Sequence, residues 1–115
     1  MPVDVTILAV TIPRDVHKSL TCHICTFERV SGNAIPLAWK LWGTYVNSYL
    51  ARRATEVAGF NDAILLDSEG RITEAAVANL FPLQKDQVIM PALTSNIFPG
   101  ITRATLLDIA QELGI

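Results

Sequence analysis

Lys40 is the only charged residue in the stretch GNAIPLAWKLWGTYVNSYLA, Gly32 to Ala51, and it lies among the chain's two tryptophans, Trp39 and Trp42. An ammonium group taken out of water is penalised and its pKa falls. The neutral amine is then a nucleophile that condenses with an aldehyde to a Schiff base. The other reading is a snorkelling lysine whose stem covers the tryptophans while its head stays wet. Residue type and position leave both open. Glu74 is the only acid between Glu69 and Asp86, set among apolar and small residues in ITEAAVANLF. Taken alone it reads as an exposed strand position, as Arg29 reads as a solvated strand end. In FPGITR, Pro99 and Gly100 break the chain just before a helical pattern that starts near Ile101. The first N–H groups of a helix lack partners and carry the positive end of its dipole, which favours a phosphate. Thr102 can add a hydroxyl there; the alternative is a plain loop-to-helix junction. Cys22 and Cys25 form a C-x-x-C around His23, a spacing that metal and redox sites use. Strand residues three apart point to opposite faces, and there is no second cysteine pair, so these read as ordinary semi-buried cysteines and not as a metal site.

These residues need elements to hold them. VDVTILAVTI, Val3 to Ile12, is β-branched, bounded by Pro2 and Pro13, and predicts a strand. LTCHICTFERV predicts a second, and SGNAIP a turn-rich connection. From Thr44 to about Ala58 the apolar Tyr45, Val46, Tyr49, Leu50, Ala54 and Val57 fit one face of a helix that Gly59 ends. DAILLD is a short buried strand and SEGR a hairpin turn. RITEAAVANLFPL and QVIMP read as strands joined by the polar QKDQ, and TSNIFPG as a loop. ITRATLLDIAQELG is a helix with apolar Ile101, Leu106, Ile109, Ala110 and Leu113. Strands, helix, strands, helix is the order of a mixed α/β or α+β layer fold.

The 115 residues suffice for one domain. Half are apolar and 17% are charged, so core-forming material is abundant and surface charge is thin. That composition suits either a well-packed small domain or a piece of a larger one whose partner covers the surplus apolar surface. A net charge of −2 offers no basic face to nucleic acid. No apolar run approaches the ~18 residues of a membrane span. MPVDVTILAV has an early acid and no basic region, unlike a signal peptide, and two cysteines without an export signal point to a reduced, cytoplasmic setting.

KLWGTYVNSYLA, DAILLDSEGRITEAAVANLF and FPGITRATLLDIAQELGI, in that order and spacing, resemble the class IV aminotransferases. These are pyridoxal-phosphate enzymes of fold type IV, among them branched-chain aminotransferases, D-amino-acid aminotransferases and aminodeoxychorismate lyases. The resemblance runs from about Phe27 to Ile115. It implies that Lys40 holds pyridoxal phosphate as an internal aldimine and then moves a proton between the substrate Cα and C4′ of the cofactor. Glu74, 34 residues on, corresponds to the carboxylate that pairs with the pyridine nitrogen, a spacing typical of the branched-chain branch. Tyr45 corresponds to a tyrosine near the phenolic oxygen, and Arg29 to an arginine on the same side of the cofactor. Phe98 stands where the family has an apolar residue packing on the ring. Gly100, Ile101 and Thr102 match the turn that binds the phosphate. On this reading the tryptophans are scaffold.

The sequence also departs from the family pattern. Ala75 stands where glycine is frequent, and Ala78-Asn79 where branched-chain enzymes often have Glu-Asn; the GTYVNS after the lysine supports that branch. The ANLF ending from Ala78 to Phe81 is shared with aminodeoxychorismate lyases. The family further implies small amino-acid and 2-oxo-acid substrates and a homodimer. Its members also have a small N-terminal domain before Val3 and final strands after the ELGI helix. The expectation is therefore one domain over 1–115, most of the large pyridoxal-phosphate-binding domain cut at both ends, active as an aminotransferase, as a lyase, or not at all by itself.

Overall fold

The computed structural model describes residues 3–11 and 19–115. Strand β1 (Cys22–Glu28), helix α1 (Thr44–Val57) and strand β2 (Asp62–Leu66) form a parallel crossover, and β3 (Ile72–Ala75) returns antiparallel beside β2. The sheet order is β1-β2-β3. Two parallel neighbours need a connection of this kind, and the helix that supplies it covers one face of the sheet. Cys22 lies opposite Asp62 and Glu28 opposite Leu66. The N–H of Arg29 continues the ladder by donating to the Leu66 carbonyl at 2.8 Å.

Between β2 and β3 the chain reverses at Gly70, whose φ of 77° lies in the left-handed region that a Cβ disfavours. Asp67 organises this turn. Its Oδ1 accepts from the N–H groups of Glu69 and Arg71 at 2.9 and 3.0 Å, and its Oδ2 takes the Nε–H of Arg71 at 2.8 Å. Led by the Arg71 backbone N–H, these donors hold the Asp67 carboxyl below its usual range against the opposing effect of burial.

Helix α1 has the bounds its sequence predicts but not the expected inward face. Its buried residues are Thr44, Ser48, Ala51 and Thr55, spaced at steps of four, three and four along one stripe. Of the apolar positions expected to face the core, Tyr45 is half-buried and Val46, Tyr49, Leu50, Ala54 and Val57 are exposed. Small side chains at the contact let the helix lie close on β1 and β2. The core there is correspondingly small: Cys25, Ala51, Ala63, Leu65 and Ala76.

Outside this unit packing is sparse. Val3–Thr11 is exposed throughout and forms no strand; a strand needs a neighbour's backbone groups, and this segment has no backbone hydrogen bond to the described residues. Pro2, Ile12 and Pro13 of that prediction lie outside the described residues. The strand expected from Arg71 to Leu83 stops at Ala75, where the chain folds back and the Ala75 N–H donates to the Ala78 carbonyl at 2.8 Å. A separate hairpin follows, β4 (Leu83–Gln84) with β5 (Gln87–Val88), turning at Lys85 with φ 55°; β5 ends well before Pro91. Helix α2 (Ile101–Leu113) ends at Gly114, φ 70°, as its sequence predicts, yet it buries no residue and packs on no other element. Ile101, Leu106, Ile109 and Leu113 are exposed and Ala110 is partly covered. The radius of gyration, 15.8 Å, exceeds the ~13 Å of a compact chain of this length.

Candidate functional site

The early end of β3 makes the site. Because the chain folds back after Ala75, Glu74 at the end of β3, Arg29 past the end of β1, and the Ala76–Asn79 bend meet in one cleft. Lys40, Tyr45 and Phe98 line it as well. Glu74 is 6% exposed and Arg29 8%, so neither is the solvated residue that its local sequence suggests. Arg29 Nε stands 2.7 Å from Glu74 Oε1 with its N–H not aimed at an acceptor, which makes this a contact of charges more than a directed hydrogen bond. Glu74 Oε2 accepts from the Phe98 N–H at 2.9 Å and from Asn79 Nδ2 at a longer 3.4 Å. Burial drives the Glu74 pKa above the usual carboxylate value; the Phe98 N–H and then Arg29 oppose it without cancelling it.

Lys40 sits in the loop before α1, and of the two readings its sequence leaves open, the buried amine is not what the structure shows. It is exposed, and Trp39 and Trp42 are 63% and 88% exposed, so the tryptophans neither bury the amine nor form scaffold in the core. Trp39 instead lines the cleft beside the lysine. Lys40 Nζ stands 5.8 Å from the centre of the Phe98 ring, within cation–π reach. Tyr45, in the first turn of α1, forms part of the wall and tilts its ring against Trp42 at 6.0 Å.

Gly100, Ile101 and Thr102 do not line this cleft. They are joined to it by Phe98, whose N–H reaches Glu74 and whose carbonyl accepts from the Gly100 N–H at 2.8 Å and from Asn79 Nδ2 at 2.9 Å. The start of α2 therefore adjoins the carboxylate, and no side chain caps its first N–H groups. Cys22 is exposed and Cys25 buried, with no bond between them. Thr44, Ser48 and Asn79 also line the cleft and were not singled out as site residues in the sequence. A polar residue inside an otherwise apolar run, Asn79 in AVANLF, is the signal that was there to read.

The pattern of the amino-transferase class IV family matches residues 2–115, and the chain belongs to that family. Its relatives include a probable branched-chain-amino-acid aminotransferase of Synechocystis, 35% identical over 84% of this chain and 32% of its own length. A crystal structure of the branched-chain aminotransferase of Thermoproteus uzoniensis with norvaline superposes with a TM-score of 0.81 at 32% identity, covering 85% of this chain and 33% of that one. The enzyme of Thermobaculum terrenum, solved in its PLP form, gives 0.80 at 30% identity over 84% of this chain and 31% of its own. The architecture is thus the mixed α/β one of fold type IV, and the chain spans about a third of the length of the relatives it matches. No helix among the described residues is long and apolar enough to cross a membrane.

The donor set suits the cofactor that this family implies. A carboxylate offers about four acceptor positions. Phe98 and Asn79 take up Glu74 Oε2, and Arg29 stands beside Oε1 as a charge without a directed hydrogen bond, so Oε1 keeps acceptor capacity for a ring N–H. An exposed amine, an aromatic face and an uncapped helix start complete the set.

Proposed function

We propose that this chain is the cofactor-holding part of a pyridoxal-phosphate-dependent branched-chain aminotransferase, moving an amino group between an amino acid and a 2-oxo acid, in a cytoplasmic homodimer. The observation that carries this reading is the cleft shared by the Lys40 amine and the buried Glu74 carboxylate, with the α2 start tied to that carboxylate through Phe98. When bound, pyridoxal phosphate supplies an electron-withdrawing ring that stabilises negative charge at the substrate Cα. Lys40 would hold the cofactor covalently and, once released, carry the proton to and from the reacting carbon. Glu74 would keep the ring nitrogen protonated. Arg29 favours the ionised form of Glu74 that this contact needs. Phe98 would pack on the ring, Tyr45 would stand by the phenolic oxygen, and the N–H groups at Gly100, Ile101 and Thr102 would hold the phosphate.

Titration with pyridoxal phosphate tests this. The chain should gain an absorption band in the near-ultraviolet to visible that Lys40→Ala abolishes; a chain that stays colourless would remove the reading. For the 115 residues by themselves we expect cofactor uptake with little or no turnover, since they span a third of their relatives' length. Robust transamination by the purified chain would contradict that expectation. The ANLF ending supports a second reading, elimination of pyruvate from aminodeoxychorismate on the same scaffold. In the parent protein, amino transfer that depends on a 2-oxo acid supports the first reading, and pyruvate release without an acceptor the second.

A further inference from the structure

Asn79 makes contacts that the proposed chemistry does not account for. It sits in the bend after β3, half-buried, and its Nδ2 donates to the Phe98 carbonyl at 2.9 Å and approaches Glu74 Oε2 at 3.4 Å. Its Oδ1 rests against the Cα of Gly100, where any added Cβ would collide with it. Gly100 itself has φ −63° and ψ 142°, a conformation open to every residue. A Cβ here would therefore displace the carboxamide from its bonded position, whereas the backbone of Gly100 itself asks for no glycine. One side chain thus touches the site's buried acid, the residue between acid and helix, and the first residue before the helix.

We propose that Asn79 is a positioning residue: a brace that fixes the Glu74 carboxylate and the start of α2 at one separation. The proposal gives that separation a purpose only under the reading above, in which a ring nitrogen and a phosphate of one molecule must be met at once. The brace itself is a property of the chain. Among the described residues, the other side-chain hydrogen bonds at the start of α2 are that of the Phe98 N–H with Glu74 and one from Arg103 to the Pro91 carbonyl at 3.2 Å. Among the described residues α2 packs against no other helix or strand, so these bonds matter to its placement.

Three measurements test it. The first is hydrogen exchange at the Phe98 and Gly100 amides. Asn79→Ala should speed both by about tenfold or more, as expected when a hydrogen bond in a charged network is lost, while amides of β2 stay protected. Asn79→Asp keeps the shape but replaces the donor with an acceptor beside Glu74 and the Phe98 carbonyl. It should show the same loss at neutral pH and recover protection relative to the unsubstituted chain as its carboxyl protonates and donates again. A residue that merely fills space would show no such recovery, and its absence would overturn the proposal. The second is a double-substitution cycle. Gly100→Ala should weaken pyridoxal phosphate binding and protection of the Phe98 amide in the native background, and do so far less in the Asn79→Ala background, where nothing is left to collide with. Equal effects in both backgrounds would overturn it too. The third is the dissociation constant for pyridoxal phosphate, which Asn79→Ala should raise by about tenfold while Lys40 still attaches covalently. If the unsubstituted chain takes up no cofactor yet the exchange and recovery results hold, the brace stands and the functional reading falls. If cofactor binds but Asn79→Ala changes neither exchange nor affinity, the functional reading stands and the brace falls.

Discussion

The β1–α1–β2–β3 unit and the α2 segment are built from similar proportions of apolar residues and behave oppositely. In the first, alanines, threonines and one leucine are wholly enclosed: Ala51, Thr55, Ala63 and Leu65 are 0% exposed. In the second, a helix with Leu106, Ile109 and Leu113 along it buries nothing. Apolar content therefore does not decide which helix is packed. α1 is held because small residues recur at helical spacing on the side that meets the sheet, and because the crossover forces the helix onto it. α2 follows a loop with no such constraint, and its apolar side borders an open cleft towards Phe81 and Val88–Met90 without being enclosed. The candidate site lies along the seam: its acid belongs to the first region, its helix start to the second, with Phe98 and Asn79 between them.

The largest test of this contrast is the buried ion pair. Arg29→Ala leaves the Glu74 carboxylate enclosed without its counter-charge, and should cost about 3–5 kcal/mol in urea unfolding. Next is the core. Leu65→Ala should cost about 2–5 kcal/mol, whereas Ile109→Ala in α2 should stay within ~0.5 kcal/mol. Similar losses at the two positions would mean that α2 is packed after all.

The pH dependence of stability has two limbs. Glu74 is raised above its unfolded value, so the stability it contributes is present below the ordinary glutamate range and is lost as pH rises through its folded pKa. Asp67 is lowered, so its contribution is present above the ordinary aspartate range and is lost as pH falls through its folded pKa. Glu74→Gln should flatten the upper limb and Asp67→Asn the lower one in unfolding measured across pH 2 to ~8. The smallest effect is kinetic: α2 amides should exchange close to unfolded rates while those of β2 remain protected.

Much of this frame was legible in the sequence, for particular reasons. Gly59, Gly70 and Gly114 end α1, turn the β2–β3 hairpin and cap α2 because each takes a positive φ, and glycine marks such positions in any chain. The fold class followed from the order of elements. What failed was orientation and partnership. Periodicity places Tyr45, Val46 and Tyr49 on one face of α1 but does not say that the opposite stripe, Thr44 to Thr55, meets the sheet. Val3–Ile12 has the composition of a strand, but pairing depends on a neighbour, and Val3–Thr11 has none among the described residues. The site residues were reached through the family motif, and the local context of Glu74 and Arg29 pointed the wrong way, because their burial comes from each other and from Phe98, residues distant in sequence. The lone lysine stood out by type and position, which left its exposure open.

On the proposed function, Lys40, Glu74 and the α2 start serve one cofactor. Incubation with pyridoxal phosphate, reduction with borohydride and peptide mapping test it most directly. The account predicts a phosphopyridoxyl group on Lys40, lost in Lys40→Ala and diminished in Glu74→Ala; label on Lys18 or Lys85 with Lys40 unmodified would contradict it.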